Sequence, residues 1–267
     1  MKLLTTIIFL CFALSAISQD KTEKEFEALT SNIANNSLVD IALKLVGKPY
    51  KAETLEINST ESLVVNLHEF DCVTFVETAI ALYLSAQQEN LNIDIFKKHL
   101  TNIRYRKGKI NGYLSRLHYS LDWVSDNIEN EILEDVSKNI GGENIAFNLN
   151  FMSKNYDKYP YLKANPELVV EIKQTEQNLN KGTYYYIPKA KINSLKNKIH
   201  NGDVIFFVTS IAGLDISHVG IAYKENEVNT FIHASQKMGK VIVNPESLYD
   251  YCMNIKSNLG IIVCRIK

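Results

Sequence analysis

Ser217-His218-Val219-Gly220-Ile221-Ala222-Tyr223-Lys224-Glu225-Asn226-Glu227-Val228-Asn229-Thr230-Phe231-Ile232-His233-Ala234-Ser235 is two β-branched and aromatic runs broken by a short polar tip. The pattern predicts a β-hairpin. With Glu225-Asn226 as the tip, the register sets His218 opposite His233 on one face, while Val219, Ile221 and Tyr223 point into a core. Similar short runs stand on either side: Gly202 to Val208, Gly239 to Val243 and Gly260 to Arg265. The last third therefore reads as an antiparallel sheet or small barrel.

The chain before it reads differently. Phe26, Leu29, Ile33, Ile41, Leu43 and Leu45 recur at helical spacing, and Gly47-Lys48-Pro49-Tyr50 ends that pattern. A second, buried helix starts at Asp71-Cys72 and runs through Phe75, Val76, Ala79, Ile80, Leu82 and Leu84. Helices first and strands last predict an α+β fold. Residues 124 to 200 are mixed and rich in Asn and Lys, and a region from about 100 to 200 reads as a helical and loop insertion in one domain spanning residues 19–267. No linker or repeat interrupts that domain.

Asp71 is suited to cap its helix, which puts Cys72 in the first turn, where unpaired N–H groups favour a thiolate. A helix-start thiol with a strand imidazole is the chemical core of cysteine acyl transfer: His218 accepts the thiol proton and His233 fixes its tautomer. The usual chelate spacings are missing, so neither a metal nor an organic cofactor is expected.

Composition narrows the partner. The 267 residues are 46% hydrophobic and carry a formal net charge of -1, which argues against a nucleic-acid ligand. Residues 1–18 hold Lys2, an apolar run and small Ala16 and Ser18, as a secretory signal peptide does. The expectation is an exported, periplasmic or extracellular monomer with no membrane span once the leader is removed. Cys72, Cys252 and Cys264 then remain; the last two either pair or stay buried as small hydrophobes.

A stretch from Arg104 to Trp123 interleaves Arg104, Arg106 and Arg116 with Tyr105, Tyr113, Tyr119 and Trp123. Guanidinium forks suit carboxylates and aromatic faces suit sugar rings, so Arg104, Arg116, His118 and Tyr119 are expected substrate contacts. The end of this stretch, from Ser115, is expected to start a helix at a serine cap.

Four motifs in order, Gly47-Lys48-Pro49-Tyr50, Asp71-Cys72, Gly202 to Phe207, and His218-Val219-Gly220-Ile221 with His233-Ala234-Ser235, resemble those of the NlpC-type papain-like cell-wall cysteine peptidases. Val73-Thr74 in place of Ser-Gly, the long interval to His218 and the Arg104 to Trp123 stretch resemble one branch, the domain of unknown function fourteen-sixty. The resemblance implies a papain-like fold, Cys72, His218 and His233 as catalytic residues, and Tyr50, Asp71 and Ser217 beside them. It also implies peptidoglycan or muropeptide fragments as partner and an N-acetylmuramoyl-L-alanine amidase activity. The alternatives are a γ-D-glutamyl endopeptidase, a non-catalytic peptidoglycan-binding module and a lipid acyltransferase.

Overall fold

The computed structural model describes residues 21–267. The leader read at residues 1–18 lies outside them. Residues 21–30 form helix α1, and Leu38–Lys44 form α2. Ser37 and Asp40 start α2 with a reciprocal cap, each side chain accepting the other's backbone N–H. Gly47, at φ +91°, then turns the chain where a side chain would be strained.

Helix α3 (Cys72–Ala86) begins at the expected Asp71 cap and is buried nearly all round through Phe75, Val76, Ala79, Ile80 and Leu82. Helices α4 (Ile93–Arg104) and α5 (Ser120–Glu129) flank it. The helix expected from Ser115 starts at Ser120 instead. Its first turn is held by Asp215, whose carboxylate accepts the Leu121 N–H at 2.9 Å, a long-range cap that no local motif announces.

Among the described residues eight strands form one antiparallel sheet: β1 (Leu133–Asp135), β2 (Glu143–Ile145), β3 (Tyr184–Pro188), β4 (Val204–Thr209), β5 (Ile216–Glu225), β6 (Val228–Ser235), β7 (Lys240–Val243) and β8 (Asn258–Ile266). The order is β2-β3-β8-β4-β5-β6-β7, with β1 pairing the far end of β8. All five strands expected after residue 200 are present. The first three lie in the stretch read as mixed, which also carries α6 (Ser137–Ile140), α7 (Phe151–Lys154), α8 (Pro160–Ala164), α9 (Val169–Leu179) and α10 (Ile192–Leu195). Strands of three to five residues hold too few alternations to register as a period.

The sheet is covered on both faces. One face packs on α3 through Val204, Phe206, Val219, Ile221 and Ile232; the other carries Ile205, Phe207 and Phe231 under Leu248 and Cys252 of α11 (Leu248–Asn254). Strand β4 is accordingly buried along its whole length, as a central strand should be. Gly47 and Tyr50 donate to the carbonyls of Val241 and Gly239, each at 2.9 Å, which lays the Tyr50 segment along the β7 edge. Cys252, on α11, and Cys264, on β8, are both free and fully buried, small hydrophobes in the cores on opposite sides of the sheet.

The hairpin tip is Asn226-Glu227, both at positive φ (45° and 67°), one residue beyond the expected Glu225-Asn226. A two-residue turn of this kind needs left-handed backbone at both positions. The slip matters for the histidines: with Ile221 paired to Ile232, the continued register sets His233 against Gly220. His218 is thus a diagonal neighbour of His233 on the same face, where direct opposition had been expected.

Candidate active site

Cys72 is the first residue of α3. The cap that positions it is complete: Thr74 N–H donates to Asp71 Oδ1 at 2.8 Å and Asp71 N–H to Thr74 Oγ1 at 3.0 Å. Three backbone N–H groups, from Val219, Cys72 itself and Val73, face the sulfur. They act in the direction expected of a helix start, toward the thiolate, but are outweighed. Burial first, and the Asp71 carboxylate second, push the Cys72 thiol up to about 12. The resting group is a neutral thiol, which corrects the sequence-based expectation of a lowered value.

The imidazoles meet on β5 and β6. His218 Nε2 lies 2.7 Å from His233 Nδ1, with the rings near perpendicular at 87°. Gly220 makes room: a Cβ there would lie 2.7 Å from the Phe231 ring and 2.8 Å from the Ile232 carbonyl oxygen. A β-bulge at Ser217, between the Phe207–His218 and Val208–Ile216 pairs, ends the regular ladder and sets the aim of His218. Phe207, Phe231 and Tyr251 ring it.

Burial, then the neighbouring His233, lowers His218 to about 3; burial lowers His233 to about 4, with the Asn244 side chain acting the opposite way. Both are neutral near pH 7. Since His218 Nε2 is engaged by His233, Nδ1 is the ring nitrogen left to take a proton. No hydrogen bond joins Cys72 to either histidine among the described residues; the thiol touches this strand through the Val219 N–H, one residue from His218. Nucleophile–base hydrogen bonds that are open in the free enzyme commonly close on substrate.

Two hollows flank this centre. A cleft of about 540 Å³ is lined by Ser217, His218, His233, Asn244, Tyr251 and Asn258 among others. On the other side, Val73, His118, Ser120, Trp123, Phe206 and Val219 wall a cavity of about 30 Å³. Tyr50 and Tyr251 lie within electrostatic reach of the sulfur: burial and then Cys72 raise both phenols, Tyr251 to about 12.

The family model for N-acetylmuramoyl-L-alanine amidase-like (AmiA-like) proteins matches residues 40–261. The chain belongs to that family. An N-acetylmuramoyl-L-alanine amidase from Bacteroides uniformis is 33% identical over 86% of this chain and 99% of its own, with a TM-score of 0.82. A structure from Bacteroides fragilis described as a putative xylanase is 40% identical over 84% and 98%, with a TM-score of 0.80. A Legionella pneumophila protein assigned to the domain of unknown function fourteen-sixty shares the fold at 23% identity, a TM-score of 0.72 and coverage of 94% and 96%. No curated protein matches the chain.

In this amidase-like chain His118 lines the smaller hollow and Ser217, His218 and His233 line the larger, while Tyr50 and Asp71 lie within electrostatic reach of Cys72. It does not bring Arg104, Arg116 or Tyr119 there as free binding groups. Arg104 is 2% exposed and donates to Glu77 and to the Val64 carbonyl, each at 2.7 Å. Arg116 is buried against Glu56 and Glu61 and lies over the Tyr113 ring. The Tyr119 hydroxyl donates to Glu176 at 2.8 Å and accepts the Met152 N–H at 3.0 Å. These three are corrected from substrate contacts to internal braces, because Arg104 and Arg116 find their partners within residues 56–77 and Tyr119 finds its own in the insertion.

Tyr251, Asn244 and Asn258 were missed. Tyr251 sits on a seven-residue helix with no motif around it. Asn244 was within reach of register reasoning, since it follows β7, where Ile242 pairs with His233. Asn258 enters through the central strand β8 and faces Ser217 at 3.4 Å.

Proposed function

We propose that this protein is an exported cysteine amidase that hydrolyses the bond between the lactyl carbonyl of N-acetylmuramic acid and L-alanine in peptidoglycan or its fragments. The observation that carries the reading is the His218–His233 pair set beside a thiol that three N–H groups face. The family and the named Bacteroides uniformis amidase support the choice of bond. The leader at residues 1–18 supports export.

Each group has a role. The Cys72 sulfur attacks the lactyl carbonyl as its proton passes to His218 Nδ1. The N–H groups then hold the oxyanion, where one such donor is worth about 3 kcal/mol. Collapse of the intermediate breaks the C–N bond while His218 returns the proton to the departing L-alanine amine. Water next attacks the thioester, giving its proton to His218, and the lactyl carboxylic acid leaves with the thiol restored. His233 orients His218 throughout.

A glycosidase reading, raised by the putative xylanase, lacks its chemistry: it needs two facing carboxyl groups, and the cleft lining holds one carboxylate, Glu246. Digestion of muropeptides followed by mass spectrometry tests the proposal. Release of intact peptide beginning with L-alanine is the expected result, abolished in Cys72→Ala. Cleavage after D-glutamate would establish the endopeptidase instead, and muropeptide binding with no turnover would establish a binding module.

A further inference from the structure

The small cavity beside the thiol is chemically lopsided. Val73, Val76, Leu117, Trp123, Phe206 and Val219 make most of its wall, and at about 30 Å³ it has room for one water- or methyl-sized group. Val73 and Val219 are also the residues whose N–H groups reach the Cys72 sulfur, so whatever fills the cavity lies next to the reacting carbonyl.

His118 is one of two polar side chains in this wall, and its tautomer is settled by its neighbour. Its Nε2 lies 2.9 Å from the Tyr113 carbonyl oxygen, which can only accept, so Nε2 carries the hydrogen and Nδ1 is a lone-pair acceptor. The ring is held against Tyr113 at 4.3 Å, and Tyr113 in turn stacks on Tyr161 at 4.6 Å and 7°. Burial, reinforced by the nearby Arg116 charge, lowers His118 to about 3 and keeps the acceptor unprotonated across the working pH range.

We infer that His118 sets specificity: its Nδ1 accepts a hydrogen bond from a substrate amide N–H whose neighbouring methyl group occupies the cavity. The inference rests on the amidase reading above, because in N-acetylmuramoyl-L-alanyl-D-isoglutamine the scissile lactyl–alanyl amide is the one amide flanked on both sides by methyl-bearing carbons. A neutral acceptor beside a methyl-sized nook selects that N–H and refuses a larger side chain. It also separates His118 from His218: the former recognises and the latter carries the proton.

The test measures binding in the Cys72→Ala protein by calorimetry, with N-acetylmuramoyl-L-alanyl-D-isoglutamine and two analogues. One replaces the alanyl N–H by an ester oxygen, and the other replaces L-alanine by L-leucine. Cys72→Ala is expected to prefer the amide over the ester by about tenfold, the scale of one neutral hydrogen bond, and to bind the leucyl analogue at least about tenfold more weakly. Adding His118→Phe should bring the amide-to-ester ratio to about one, whereas His118→Asn, which keeps an acceptor near Nδ1, should retain part of it.

A ratio is insensitive to the fraction of folded protein, so a merely structural role would leave it unchanged. An unaltered ratio in His118→Phe, or equal binding of the leucyl analogue, overturns the inference even where the wild type cleaves the alanyl amide. Preserved ratios in a wild type that never turns over overturn the amidase reading alone, and absence of both binding and turnover overturns both.

Discussion

The β5–β6 hairpin and the Arg104 to Trp123 segment are both dense in polar and aromatic side chains, and their fates differ. On the hairpin, His218 and His233 share one hydrogen bond, keep a second ring nitrogen each, and line an open cleft. In the other segment Arg104, Arg106 and Arg116 are each matched by a carboxylate, from Glu77, Asp122 and Glu56 respectively. A charged, aromatic composition is thus compatible with a site and with a brace. What separates the two is whether the partner of each charge already lies within the chain.

The contrast breaks most sharply at His218. Replacing it by Ala should lower kcat/KM by about 10⁴-fold or more while leaving the unfolding midpoint close to that of the wild type, because a partly exposed ring at a strand end is lost without uncovering a buried charge. A comparable rate for His218→Ala in muropeptide hydrolysis would remove the base from the account.

Arg104 should behave in the opposite way. Arg104→Met strands the Glu77 carboxylate, which burial already raises above its usual range against the pull of Arg104, and should destabilise the fold by about 3–5 kcal/mol. Urea unfolding checks this, and the double variant with Glu77→Leu should recover much of the loss. A raised KM with unchanged stability would return Arg104 to the substrate.

The smallest effect is a slope. With Cys72 near 12 and His218 near 3, neither group titrates between pH 5 and 9, so the thiolate fraction should rise tenfold for each pH unit over that window. Iodoacetamide alkylation of the free enzyme should follow that line. A plateau from about pH 5 upward would reveal a preformed thiolate–imidazolium pair.

Much of the fold was legible because its decisive elements are long and strongly patterned. Helix α3 with its Asp71 cap, the Gly47 stop and the five C-terminal strands follow from local sequence. The shared face of His218 and His233 was legible too, since register arithmetic puts both on it even with the hairpin tip one residue astray. The braces were not legible. Arg104 meets Val64 and Glu77 across 40 and 27 residues, and Asp215 caps α5 from 94 residues away. The thiol's raised value was hidden for the same reason: the helix start is local, but the burial that outweighs it is tertiary.

The most direct test of the central claim is the covalent intermediate itself. Acid quench during turnover of a muropeptide, followed by peptide mapping with mass spectrometry, should find Cys72 carrying an N-acetylmuramoyl acyl group and no amino acids. An adduct on Cys72 that contains L-alanyl-D-glutamyl, or undiminished hydrolysis by Cys72→Ala, would contradict it.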